Sequence, residues 1–120
     1  MVLREKQEYD LSRLVEAISS INEVIAAILF GSVARGDYDE YSDYDLLVVF
    51  KDKESMWKRW DELFGKVGEL KLLVHLIPKG LEEFLNSEPT LLAEIFRHGK
   101  LLYSKYPFQS CIEPLNLKRM

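Results

Sequence analysis

The sequence predicts an α/β fold in a single domain, a small central β-sheet sandwiched between flanking helices. Three observations carry that reading. Two short runs, Val24–Phe30 and Tyr44–Phe50, are rich in β-branched residues, too short for ordinary helices and closed by turn residues, as in strands buried on both faces. Segments with three- and four-residue apolar spacing stand around them. The two kinds of segment alternate along the chain, which is the pattern of a sheet covered by helices.

The elements follow in order. Asp10, then Leu11, Leu14, Val15, Ile18 and Ile21, predict an amphipathic helix with Asp10 as its N-terminal cap. The strand Val24–Phe30 ends at Gly31-Ser32, a short helix starts over Ser32–Gly36, and Asp37–Asp43 is a polar loop. The second strand, Tyr44–Phe50, closes in the charged turn Lys51-Asp52-Lys53. Glu54–Lys66 is read as a helix with Met56, Trp57, Trp60, Leu63 and Phe64 inward, and Gly68 breaks it. Glu69–Ile77 is expected as the third strand, and a short helix follows Pro78. Ser87-Glu88-Pro89 caps a helix running through Phe96, with His98 at its C-terminal end, Gly99 ends it, and Leu101–Tyr103 adds a final short strand. Residues 1–104 form the expected domain; 105–120, with two prolines and no periodicity, is an irregular tail whose apolar residues suit packing on a second subunit.

Composition excludes several classes. In 120 residues, 48% are hydrophobic and 30% charged, the balance of a globular domain with a modest core. Twenty acidic against sixteen basic residues give a net charge of −4, which argues against a wide basic nucleic-acid surface but leaves room for a nucleotide bound through metal. No apolar run approaches the roughly 20 residues of a membrane span, and residues 1–14 carry no signal pattern, so the expected location is the cytoplasm. The single cysteine, Cys111, forms no internal disulfide, and with two histidines it makes no structural zinc site.

The chemistry concentrates in Gly31–Phe50. Asp43 and Asp45 sit one residue apart at the mouth of a strand, where alternation points both carboxylates to the same side, roughly 7 Å apart at Cα. That spacing suits one or two hard cations completed by waters and substrate phosphates, and such a pair can clamp an in-line phosphoryl displacement. Gly31-Ser32 lies where strand meets helix, so backbone approaches a ligand closely, free N–H groups face it, and Ser32 adds a hydroxyl. An anion cradle on one strand end, facing an acidic pair on the next, describes a site for a metal–nucleoside triphosphate. Arg35 is open to two roles, phosphate ligand or ion-pair partner of Asp37 or Asp39, and Ser42 to two, ligand or turn brace. Tyr38, Tyr41 and Tyr44 around the loop suit either base stacking or a protein interface.

Taken together, Gly31-Ser32-x-Ala34-Arg35-Gly36 and Ser42-Asp43-x-Asp45-Leu46-Leu47-Val48 resemble the signature of the DNA polymerase β-type nucleotidyltransferases, and more narrowly of the minimal nucleotidyltransferases that partner HEPN-domain proteins in toxin–antitoxin pairs. The motif covers about twenty residues, and the element order extends the resemblance over roughly Asp10–Tyr103. The resemblance implies the nucleotidyltransferase (polymerase β palm-like) fold, with a small mixed sheet. It implies Asp43 and Asp45 as ligands of Mg²⁺ or Mn²⁺, and Gly31, Ser32, Arg35 and Ser42 around ATP or another nucleoside triphosphate. The reaction it implies is attack of a hydroxyl on the α-phosphate with loss of pyrophosphate, and the acceptor it favours is a hydroxyl on a HEPN-type partner. A chain of this length has no room for separate domains gripping a primer duplex, and its acidic charge disfavours an RNA acceptor.

One position departs from the resembled pattern. A third acidic residue belongs on the third strand, and the matching stretch Leu72–Ile77 places His75 there. Glu69, six residues earlier, is about 20 Å away along an extended chain. An imidazole can ligate a softer ion such as Mn²⁺ or act as a base, but it brings no negative charge. Two expectations therefore stand side by side: a metal-dependent transferase in which His75 substitutes for the carboxylate, and a weakened or inactive fold that neutralises its partner by contact.

Overall fold

A computed structural model of the chain describes residues 3–37 and 43–106. The expected Asp37–Asp43 loop falls mostly outside those residues, and so does the tail from Pro107 with Cys111. The described elements are α1 (Leu3–Ser19), β1 (Val24–Phe30), α2 (Gly31–Arg35), β2 (Tyr44–Phe50), α3 (Lys53–Gly68), β3 (Val74–Gly80), α4 (Leu81–Leu85), α5 (Pro89–His98) and β4 (Lys100–Ser104). The strands form one mixed sheet in the order β3-β2-β1-β4, in which β1 pairs antiparallel with β2 and β4, and β2 runs parallel to β3.

The two central strands explain themselves. β1 and β2 are buried along almost their whole length, because helices cover both faces of the sheet. On one face Leu14 and Ile18 of α1 and Met56, Leu63 and Val67 of α3 pack on Ala27, Leu29, Leu46, Val48 and Phe50. On the other, Phe84 of α4 and Ile95 of α5 pack on Ile25, Ala26, Ile28, Leu47 and Val49. No helix of the described chain is long and apolar enough to cross a membrane.

Several element boundaries differ from expectation, each for a local reason. The first helix begins at Leu3, so Asp10 lies within α1 instead of capping it. The true cap of α3 is Asp52, whose side chain accepts a hydrogen bond from the Ser55 amide at 2.7 Å. The third strand starts at Val74 because backbone bonds continue the helical turn through Leu70 and Lys71, and Lys71 then takes a left-handed φ of 59°. Pro78 belongs to β3, which tolerates it as an edge strand.

The aromatic residues of α3 are the clearest correction. Met56 and Leu63 point inward, but Trp57 is 61% exposed, Phe64 is exposed and Trp60 is only partly buried. The rings contact one another in series along the helix surface, Trp57 stacked on Trp60 with centroids 5.6 Å apart and Phe64 tilted against Trp60 at 4.9 Å. Their spacing passes for an inward stripe in the sequence, yet it lies to one side of the line through Met56, Leu63 and Val67 that the sheet buries.

Candidate active site

Strand register assembles the site. Phe30, the last residue of β1, lies opposite Asp45 on β2, and Asp45 lies beside His75 on β3. One transverse row of the sheet therefore carries His75, Asp45 and Phe30, with Gly31 immediately following. Along β2, Tyr44, Leu46, Val48 and Phe50 enter the α1/α3 layer, and Leu47 and Val49 enter the α4/α5 layer. The pleat thus sends Asp45 away from the α1/α3 side. Asp43, exposed, lies immediately before β2 and two residues from Asp45.

Each oxygen of Asp45 has a neighbour. Nδ1 of His75 is 3.2 Å from Oδ1 and donates to it when protonated there. Oδ2 lies against the backbone of Gly31, where a Cβ would stand only 2.0 Å from it. Gly31 also has a φ of 77°, so conformation and space both demand glycine. The Asp45 side chain is 25% exposed and that of His75 62%, which opens the pair to solvent and to a ligand.

The remaining sequence-predicted residues fall as follows. Ser32 is partly buried in the first turn of α2, next to Gly31. Arg35, at the end of α2, pairs with Glu94 of α5 and, at 3.3 Å, with Asp37. Those carboxylates, Glu94 foremost, raise the pKa of its guanidinium above the usual value. Arg35 is thus an ion-pair partner, and Glu94, 59 residues away in the chain, had no local signal to announce it. Ser42, Tyr38, Tyr41 and Asp39 lie outside the described residues. Tyr44 is buried on the face opposite Asp45, which removes it from base stacking, and its hydroxyl donates to Oδ2 of Asp10 at 2.8 Å. Sequence reading missed that contact because it assigned Asp10 to a cap.

Among the described residues, no three Asp, Glu, His or Cys side chains converge into a closed metal cage. Asp43 and Asp45 still fit a hard cation of the kind that uses one or two carboxylates, keeps waters and takes further oxygens from a phosphate. His75, a nitrogen donor beside Asp45, fits Mn²⁺ better than Mg²⁺. A cleft of about 560 Å³ lined by Lys51, Lys53, Gly80, Leu81, Leu85 and Asn86 lies at the other end of β2 and β3, remote from these groups.

Comparison with known proteins bears on the family and the fold. A family model described as polymerase beta, nucleotidyltransferase, matches residues 12–107. A Methanocaldococcus jannaschii protein, provisionally named a protein adenylyltransferase, is 59% identical over 29 residues, spanning 24% of this chain and 29% of that protein. A chain from the complex of tri-AMPylated HEPN toxin with MNT antitoxin of Shewanella oneidensis superposes with a TM-score of 0.56 at 19% identity, covering 94% of this chain and 82% of that one. An Enterococcus spectinomycin adenyltransferase bound to ATP and spectinomycin superposes with a TM-score of 0.66 at 15% identity, over 87% of this chain and 58% of that one. At these identities the two structural likenesses establish the fold.

Proposed function

The chain belongs to the polymerase β nucleotidyltransferase family, and from that premise we propose that it transfers AMP from ATP to a hydroxyl group on a HEPN-domain protein, using Asp43 and Asp45 as ligands of Mg²⁺ or Mn²⁺. The observation that carries this reading is the placement of Asp45. Its carboxylate is set between a glycine that has no room for a side chain and a histidine on the neighbouring strand, at the sheet end where Ser32 begins a helix. Two features support the adenylyl group and the protein acceptor: the local identity to a protein provisionally named a protein adenylyltransferase, and the fold shared with a chain of an AMPylated toxin–antitoxin complex.

A cation held by the two carboxylates and the triphosphate would supply charge neutralisation and polarisation at the α-phosphate. The chain's own residues do the rest. Gly31 lets backbone approach the phosphates, and the Ser32 hydroxyl donates to a phosphate oxygen. The acceptor oxygen bonds to the α-phosphorus, the bond from that phosphorus to the β-phosphate oxygen breaks, and pyrophosphate leaves. His75, with Nδ1 turned to Asp45, has Nε2 to accept the proton of the attacking hydroxyl. Arg35 positions α2 against α5 through Glu94.

A second reading has its own observation. His75 stands beside Asp45 where the family resemblance calls for a carboxylate, so the fold could persist as a contact antitoxin without transfer. Transfer of label from α-labelled ATP, with a co-expressed HEPN partner, Mg²⁺ or Mn²⁺, and Asp43→Asn as control, separates the two. Label on the partner that disappears in the control is expected; a tight complex with no label in either metal would replace transfer with binding alone.

A further inference from the structure

We propose that the buried hydrogen bond between Tyr44 and Asp10 pins the register of β2 and so positions Asp43 and Asp45. This rests on the reading of those two carboxylates as the metal–nucleotide site. Asp10 lies in the interior of α1 at 3% exposure, and Tyr44 at 6% reaches it from the strand. Lys6, one turn earlier and about half exposed, is 3.5 Å from the same Asp10 oxygen, so the carboxylate has both a donor and a counter-charge.

A pin is needed because β2 lacks the usual determinant of register. Where one strand face is apolar and the other polar, a one-residue slip exposes the core and is strongly penalised. From Leu46 to Phe50, β2 is apolar on both faces, and both faces are covered. Between Leu46 and Val49 a slip exchanges one aliphatic side chain for another at little hydrophobic cost. At Tyr44-Asp45 the same slip is decisive, since it would turn Asp45 towards α1 and Tyr44 towards Gly31 and His75. The Tyr44 hydroxyl reaching Asp10 satisfies a buried carboxylate in one register alone. The Tyr44 amide, donating to Leu73 at 2.9 Å, ties the same residue to the lead into β3. Burying a carboxylate in the middle of an amphipathic helix opposes stability unless it is paired, and an apolar residue would pack there at no such cost. Specification of a single register is what the buried carboxylate adds, a role for which buried polar groups are best attested. Asp10 and Tyr44 are thus positioning residues and touch neither nucleotide nor metal.

The test compares Tyr44→Phe, Asp10→Asn and the double variant Asp10→Leu/Tyr44→Phe in the full chain. Melting midpoint, Mg²⁺–ATP affinity and amide hydrogen exchange in β2 are read for each. Tyr44→Phe should weaken Mg²⁺–ATP binding about tenfold or more, and it should speed exchange at the Asp45 and Leu46 amides while leaving α3 unchanged. Asp10→Asn, whose amide oxygen still accepts from Tyr44, should retain affinity. The double variant should recover the melting midpoint, because it restores an apolar contact, without recovering affinity. Recovery of both, or unchanged β2 exchange and affinity in Tyr44→Phe, would overturn the proposal and leave the pair a packing contact. Asp45→Asn run alongside keeps the two readings apart. Wild-type Mg²⁺–ATP affinity in that variant would refute the site, while altered β2 exchange in Tyr44→Phe would still report the pin.

Discussion

Replacing Gly31 by alanine separates the geometry of the site from the stability of the fold. An alanine Cβ would lie 2.0 Å from Oδ2 and 2.9 Å from Cγ of Asp45, whereas ordinary contact begins at 3.4 Å. The carboxylate must retreat by the difference between 3.4 and 2.0 Å, roughly 1.4 Å, because the obstacle is backbone-attached and cannot move. At a φ of 77° the alanine also carries a left-handed backbone cost of about 1–2 kcal/mol. Against a typical stability of about 5–15 kcal/mol the protein stays folded, with its melting midpoint lowered by about 4–8 °C per kcal/mol or somewhat less. Function should fall much further, since misplacing a reacting group by about 1 Å costs on the order of 100-fold in rate. Differential scanning fluorimetry reads the first effect, and AMP transfer from α-labelled ATP together with Mg²⁺–ATP titration reads the second. Wild-type affinity and transfer in a Gly31→Ala protein with the expected drop in midpoint would refute the reasoning. The site would then not depend on where Gly31 and His75 hold Asp45.

Three further outcomes are expected. Leu63→Ala should cost about 2–5 kcal/mol in urea unfolding, whereas Trp57→Ala, which removes an exposed ring stacked on Trp60, should cost no more than about 0.5–1.5 kcal/mol, reversing their order by size. Asp52→Ala should lower the melting midpoint at neutral pH. The Ser55 backbone N–H, which Asp52 accepts, holds its carboxyl below the ordinary 3.8, so its stabilisation is present above that value and is lost as pH falls through the lower folded value; wild type and variant should converge in a pH series carried into strong acid. His75→Asp should raise Mg²⁺-supported transfer about tenfold or more and weaken any preference for Mn²⁺, measured as initial rates in the two metals.

Much of this protein is readable in its sequence because the relevant physics is local. Val24–Phe30 and Tyr44–Phe50 match β1 and β2 residue for residue, since a short, mostly apolar run bounded by turn residues, broken in β2 only by Asp45 near its start, defines a doubly covered strand. Gly31 and the pair Asp43/Asp45 stand out for the same reason: their spacing and their place at strand ends already imply a shared chemistry. The boundaries that fail are those where local signals compete. Asp10 has the chemistry of a helix cap and a run of apolar spacing behind it, yet it serves inside the helix because a tyrosine 34 residues later reaches it. Trp57, Trp60 and Phe64 have core spacing, but periodicity gives only the angles between side chains around a helix, not which of them the sheet will cover.

What the sequence alone determined, then, is the α/β layering, and what it offered is the chemical inventory of the proposed site, because strand burial, turn chemistry and carboxylate spacing act over a few residues. Tertiary structure decided how that inventory is used. Parallel pairing of β2 with β3 brings His75 beside Asp45 across 30 residues of chain, and antiparallel pairing of β1 with β2 lays the carboxylate on Gly31. Packing of α5 on the sheet supplies Glu94 to Arg35, and packing of α1 supplies Asp10 to Tyr44. Each of these contacts joins residues whose separation in the chain carries no energetic signal until strand register and helix packing bring them together.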